Sequence, residues 1–169
     1  MRWYWIDRFI EFESGRRAKA VKAVSLAEEH LHDHFPGYPV MPHPLIIEGV
    51  AQTGGLLVAE YNAFVEKVIL AKISKAEFHG DAVPGDILTY TTSIEYIKKD
   101  GAMIVGTVDR GEERFGSMEM VFAHLQTGHE DRNLYEPGTF LKMMRMLGAY
   151  DVGHAADGGP LVEPAHLSV

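Results

Sequence analysis

Apolar and polar positions alternate, imperfectly, from the start of the chain. Ile6–Phe12 and Arg17–Leu26 flank Ser14-Gly15, and in the second run Ala18, Ala20, Val21 and Val24 are mixed with Lys19, Lys22 and Ser25. This predicts two strands around a turn. Glu28 to Pro42 is rich in His, Pro and Gly and predicts irregular backbone. Pro44 to Phe64 then reads as one long helix, with Pro44 in the first turn, where a missing N–H costs nothing. Twenty-one residues at a rise of 1.5 Å would span about 31 Å, enough to cross a small domain. Beyond it the period changes, and Ile69–Phe78, Ile87–Lys98, Ala102–Asp109 and Arg114–Gln126 read as strands. Pro84-Gly85-Asp86, Lys99-Asp100-Gly101 and Gly111-Glu112-Glu113 supply the turns between them. Two strands, one long helix and a run of strands predict an α+β fold, an antiparallel sheet packed on a helix. Phe140, Met143, Met144 and Leu147 then recur at helical spacing, opposite Lys142 and Arg145, with Gly148 as a stop. Asp151–Val169 carries little apolar periodicity and is expected to be mobile or to lie along a neighbour.

Composition narrows the function classes. A chain of 169 residues, 46% hydrophobic and 24% charged, is expected to form a globular domain with a real core. The absence of cysteine excludes disulfides, thiolate nucleophiles and cysteine metal sites. Sixteen basic against 24 acidic residues leave a net charge of −8, which argues against nucleic acid as a partner. Asp7, Arg8 and Glu11 interrupt the start too early for a signal peptide. Glu48 and Gln52 break the most apolar stretch, so no membrane span is expected. A soluble cytoplasmic protein is the expectation.

The chemistry is concentrated between His34 and Gln52. Glu48 falls on the second turn of the long helix, and at 100° per residue its face also carries Leu45, Gln52, Gly55, Leu56 and Ala59. No Lys or Arg occurs from Phe35 to Val65, so no cation at helical spacing pairs with it. A carboxyl among apolar groups without a counter-charge is expected to keep its proton and to serve as an acid. The competing reading is a glutamate that reaches water or bonds Gln52. His34 carries an imidazole, a side chain able to take a proton from carbon or oxygen, in front of the aromatic wall and fixed turn of Phe35-Pro36. A capping or surface histidine is the competing reading. A third reading is a metal site of His30, His32 and His34 on one strand face, but no downstream ligand set accompanies them. At the helix start, the amide of His43 or of Leu45 is free to meet negative charge on a substrate oxygen, whereas Pro44 has no N–H.

Several short motifs occur in a fixed order. They are His34-Phe35-Pro36-Gly37, Pro39-Val40-Met41-Pro42, Leu45-Ile46-Ile47-Glu48 and Ala51-Gln52, followed by Ala76-Glu77-Phe78 and Val83-Pro84-Gly85-Asp86. Asp7-Arg8 and Val24-Ser25 precede them. Over about residues 4–126 the chain resembles the FabZ-type 3-hydroxyacyl-acyl-carrier-protein dehydratases. The resemblance implies a hotdog domain over residues 1–128, a long helix wrapped by an antiparallel sheet. Residues 129–169 would form an extension with one amphipathic helix and a mobile tail.

The implied reaction is dehydration of a (3R)-3-hydroxyacyl thioester to the trans-2-enoyl thioester in fatty-acid or related lipid biosynthesis, without metal or organic cofactor. His34 would remove the α proton and Glu48 would protonate the departing hydroxyl. Gln52, His43, Gly37, Val40 and Met41 are the implied substrate-binding residues, with Gln52 helping to hold Glu48. His43-Pro44 depart from the family, which usually has glycine and an aliphatic residue there. The implied partners are acyl carrier protein or a coenzyme A thioester and a second copy of the chain. Each site would take His34 from one chain and Glu48 from the other, in a homodimer or a trimer of dimers. An acidic carrier would need a basic patch, for which Arg16-Arg17-Lys19, Lys72 with Lys75, Lys98-Lys99, and Lys142 with Arg145 are candidates. Two other classes stay open: a hotdog thioesterase in which Glu48 directs water at the thioester carbonyl, and a non-catalytic acyl-binding subunit.

Overall fold

The computed structural model describes residues 3–125 and 137–167. Strands β1 (Arg8–Glu13) and β2 (Arg17–Ala23) form the first hairpin. A single helical turn, α1 (His30–Asp33), leads into the long helix α2 (His43–Tyr61). Strands β3 (Lys67–Phe78), β4 (Ile87–Lys98), β5 (Gly101–Arg110) and β6 (Glu113–Leu125) follow. The chain ends in α3 (Pro137–Met146), α4 (Ala149–Val152) and a two-residue strand, β7 (Gly153–His154). One seven-stranded sheet has the order β3-β6-β5-β4-β2-β1-β7, antiparallel except for the parallel β1–β7 pair. It wraps α2, as expected for the hotdog fold.

The helix is buried on nearly every side because the sheet curls around it. Ile46, Val50, Leu57 and Val58 are fully enclosed, and the sheet meets them with Leu88, Tyr90 and Ile104. Glycine sets how closely the two layers approach. A Cβ at Gly54 would lie 2.2 Å from Ile104 Cδ1, and one at Gly49 would lie 2.4 Å from the Tyr90 ring. Glycine is a poor helix former, and here it is what lets helix and sheet meet at backbone distance. The helix stops three residues before the expected end. Ala63 and Phe64 take positive φ, 54° and 60°, with Phe64 N–H bonded to the Ala59 carbonyl at 2.9 Å. Burial of the Phe64 ring holds the chain in this left-handed reversal.

Two expectations change. Residues 30–33, in the stretch expected to be irregular, form a helical turn, so the alternative of His30, His32 and His34 on one strand face does not hold; among the described residues no metal-ligating cluster forms. The residues after Asp151, expected to be mobile or to lie along a neighbour, sit in part against their own chain. β7 extends the sheet beyond β1, Leu161 N–H bonds the Gly153 carbonyl at 2.9 Å, and the Leu161 side chain joins the core. The expected boundary at 128 lies outside the described residues. No described helix is long and apolar enough to cross a membrane.

Candidate active site

His34 sits on a tight loop. Phe35 and Tyr38 exchange backbone hydrogen bonds of 2.9 Å around Gly37, whose φ is +80°. Val40 N–H bonds the His34 carbonyl at 2.8 Å, and Met41 N–H ties the loop to the Ala82 carbonyl. The His34 ring stacks on Phe35, and its Nδ1 lies 2.9 Å from the Val40 carbonyl oxygen. A carbonyl only accepts, so the proton resides on Nδ1 and the Nε2 lone pair is available as a base. The Pro36-Gly37 turn thus serves to aim one nitrogen.

Glu48 projects from the second turn of α2 and, where an enclosed carboxyl was expected, is exposed in the isolated chain, as in the competing reading of a glutamate that reaches water or bonds Gln52. Gln52, one turn on, donates Nε2–H to Glu48 Oε1 at 3.0 Å. The same amide is gripped by the N-terminal segment: Nε2 donates to the Trp3 carbonyl at 2.8 Å and Oε1 accepts from Trp5 N–H at 2.9 Å. Both Nε2 protons of Gln52 are donated and its Oε1 accepts one bond, which fixes its rotamer and with it the near oxygen of Glu48. No hydrogen bond or ion pair joins His34 to Glu48 within the chain, among the described residues.

At the helix start, Leu45 N–H is already bonded to the Pro42 carbonyl at 2.9 Å. Of the two amides considered, His43 N–H is the one left to face a substrate oxygen. The His43 ring turns elsewhere. It stacks on Phe78 at 4.2 Å and 10°, with Nε2 3.0 Å from the Gly80 carbonyl oxygen and 3.8 Å from Asp81. Val40 and Met41 are buried, Met41 within the core, and Val40 acts through its carbonyl on His34.

A groove of about 180 Å³ opens beside Glu48 and Gln52. Gly55, Leu56 and Ala59 continue its floor along the same face of α2, as the helical wheel predicts. Val68, Leu70 and Phe122 line the sheet side, and Phe140 and Met143 of α3 complete it. Sequence reading placed the last two on an amphipathic helix without connecting that helix to the site. It also missed the N-terminal grip on Gln52, for which Trp3 and Trp5, two large side chains at one end of the chain, were the only signal.

His30 lies next to this region, edge-on to Trp5 at 5.2 Å. Burial lowers its pKa, opposed by the nearby Glu28 carboxylate. Of the basic candidates for carrier docking, Arg16, Arg17 and Lys19 are paired with Glu11 or Glu13, Lys75 with Glu77, and Arg145 with Glu163. Among the described residues Lys72, Lys99 and Lys142 carry no ion pair.

Residues 3–112 match the model of the FabA-like domain family. The chain is 37% identical over 119 residues to the 3-hydroxyacyl-[acyl-carrier-protein] dehydratase FabZ of Pelotomaculum thermopropionicum, covering 70% of this chain and 85% of that one. It is 41% identical over 107 residues to the FabZ of Nitratiruptor, covering 59% and 71%. Among solved structures, a Streptococcus mutans protein bound to acetyl CoA superposes with a TM-score of 0.60 at 13% identity, covering 74% of this chain and 93% of that one. A dehydratase heterocomplex from Xenorhabdus doucetiae gives 0.54 at 16% identity, covering 65% and 89%.

Proposed function

The chain belongs to the FabA-like family, with the FabZ dehydratases as its relatives, and from that premise we propose that His34 and Glu48 are its acid–base pair. The reaction is dehydration of a 3-hydroxyacyl thioester carried by acyl carrier protein, in fatty-acid biosynthesis. In our reading the substrate is the (3R) isomer and the product the trans-2-enoyl thioester. His34 Nε2 takes the proton from C2. The C2–C3 double bond forms as the C3–O bond breaks, and the Glu48 carboxyl gives its proton to the departing hydroxyl, which leaves as water. His34 ends protonated and Glu48 ionised; passage of that proton from imidazolium to carboxylate through water resets the pair. His43 N–H stabilises charge on the thioester oxygen while C2 loses its proton.

The observation that carries this reading is the fixed orientation of both groups. The Val40 carbonyl presents His34 as a base, and Gln52 holds one oxygen of Glu48. Proton transfer is useful only between groups already at hydrogen-bond reach of the reacting atoms, so such fixing is what the chemistry requires.

We further propose that the site is shared between two copies of the chain in the cytoplasm, His34 from one and Glu48 from the other. Glu48 is exposed, and β3 pairs only with β6 among the described residues and is exposed over most of its length, with Ile69, Leu70 and Ile73 more than a third exposed. An edge strand of twelve residues presents a row of unpaired backbone groups, a template for pairing with another strand. The test uses two inactive variants. His34→Ala and Glu48→Gln should each lower enoyl-thioester hydration by about 10²–10⁴-fold with the fold intact. Refolded together, they should regain activity, because each mixed dimer contains one site with both groups. Full activity in either single variant would overturn the assigned roles. Inactive singles with no recovery in a verified mixed dimer would place both groups in one chain. Release of free thiol from the thioester would signal hydrolysis instead.

A further inference from the structure

The extension helix α3 lies outside residues 3–112, the part of the chain that matches the family, yet it lines the groove that begins at Glu48. Its side chains divide into two sets. Leu141 and Met144 are buried and Met144 belongs to the core, so they anchor the helix; Leu147 adds a backbone bond to Phe9 and Arg145 an ion pair to Glu163. Phe140 and Met143 stay only partly buried and face the groove. The groove itself is carved by small residues. Gly55 brings the floor so low that an added Cβ would touch Phe122 at 3.3 Å, and Ala59 lies eleven residues beyond Glu48, about 16 Å along the helix. One end therefore holds the acid group, the walls are apolar, and α3 supplies two large side chains.

We propose that Phe140 and Met143 form a wall of the acyl site and limit the length of chain the enzyme accepts. This rests on the dehydratase reading of Glu48. The occupant is the hydrocarbon tail of the thioester, because the groove is continuous with the group that acts on C3. At about 180 Å³ it is little larger than an apolar cavity of about 150 Å³ that admits benzene, which sets the scale at roughly six carbons. Met143 is unbranched and Phe140 flat, so truncating them enlarges the groove while Leu141 and Met144 keep the helix anchored.

The experiment compares kcat/KM for hydration of enoyl thioesters from crotonyl to hexadecenoyl in the wild type, Phe140→Ala/Met143→Ala, Met143→Trp and Lys142→Ala. The double variant should raise the long-to-short ratio about tenfold or more, the scale of discrimination a single methylene gives in an apolar pocket. Met143→Trp should lower it, and Lys142→Ala, on the opposite face, should not move it. The same series of saturated acyl thioesters is titrated for binding to each variant in a Glu48→Gln background, a readout that needs no turnover. Length profiles that coincide in folded wild type, double variant and Met143→Trp would overturn the proposal. A wild type that hydrates no thioester but whose binding profile shifts with Met143→Trp would overturn the dehydratase reading and leave the wall standing. If the double variant does not fold, Met143→Trp alone decides.

Discussion

At the scale of single residues, the proposed reaction gives Gln52 a positioning role, as an amide with no proton to give or take. Its Nε2 donates to Glu48 and to the Trp3 carbonyl, and its Oε1 accepts from Trp5 N–H. Truncation to alanine releases the carboxyl and leaves two backbone groups without their partner. Losing one hydrogen bond to a charged group costs about 1.5–3 kcal/mol, so Gln52→Ala should lower kcat roughly tenfold or more. KM should change little, since the amide holds the acid rather than the substrate. Steady-state kinetics across pH checks this, and an unchanged kcat with a raised KM would reassign Gln52 to substrate binding. Spacing made Gln52 legible as a neighbour of Glu48. Its second pair of partners lies 47 and 49 positions away along the chain, a separation no local pattern reports.

At the scale of elements, β3 and α2 show where local pattern succeeds and where it misleads. The strand was legible from its composition, but its outer edge pairs with no described strand and most of its length is exposed, and an exposed edge gains meaning only from what covers it. If that edge joins two copies, Ile73→Lys should convert the assembly to monomer by light scattering, and activity should fall with the dimer fraction. A monomeric variant of full activity would remove the shared site. The helix was also legible, as a long apolar run, yet its end was misplaced because Phe64 continues the apolar pattern while turning out of the helix. α1 escaped notice because four residues are too few to show a period.

At the scale of the whole molecule, the extension is built into the domain through a polar cluster at the end of α2. Burial raises the pKa of Glu60, opposed by a hydrogen bond from the Ser14 hydroxyl, and one carboxyl oxygen has no partner. Tyr150 of α4 is pushed up as well, by burial first and by Glu60 next. A carboxyl whose folded pKa is raised binds its proton more tightly in the folded chain. Its stabilising contribution is therefore complete below the ordinary value of 4.5 and is lost as pH rises through the folded value. Glu60→Gln, which keeps an uncharged group at every pH, should raise Tm above wild type at neutral and mildly alkaline pH. The difference should close below pH 4.5. A pH-independent difference in Tm would mean that Glu60 ionises freely in the folded protein.

The order of strands around one long helix, the helical face shared by Glu48, Gln52, Gly55 and Ala59, and the family motifs from His34 to Gln52 were all present in the linear chain. Each depends on periodicity or on neighbours a few positions apart, and such relations survive without coordinates. The tautomer of His34, the grip of Trp3 and Trp5 on Gln52, the turn of the His43 ring onto Phe78 and the arrival of Phe140 and Met143 beside Glu48 were decided by folding alone. Backbone groups and side chains far apart in sequence meet only when the sheet closes around the helix, and it is at those meetings that the direction of a proton and the length of a groove are set.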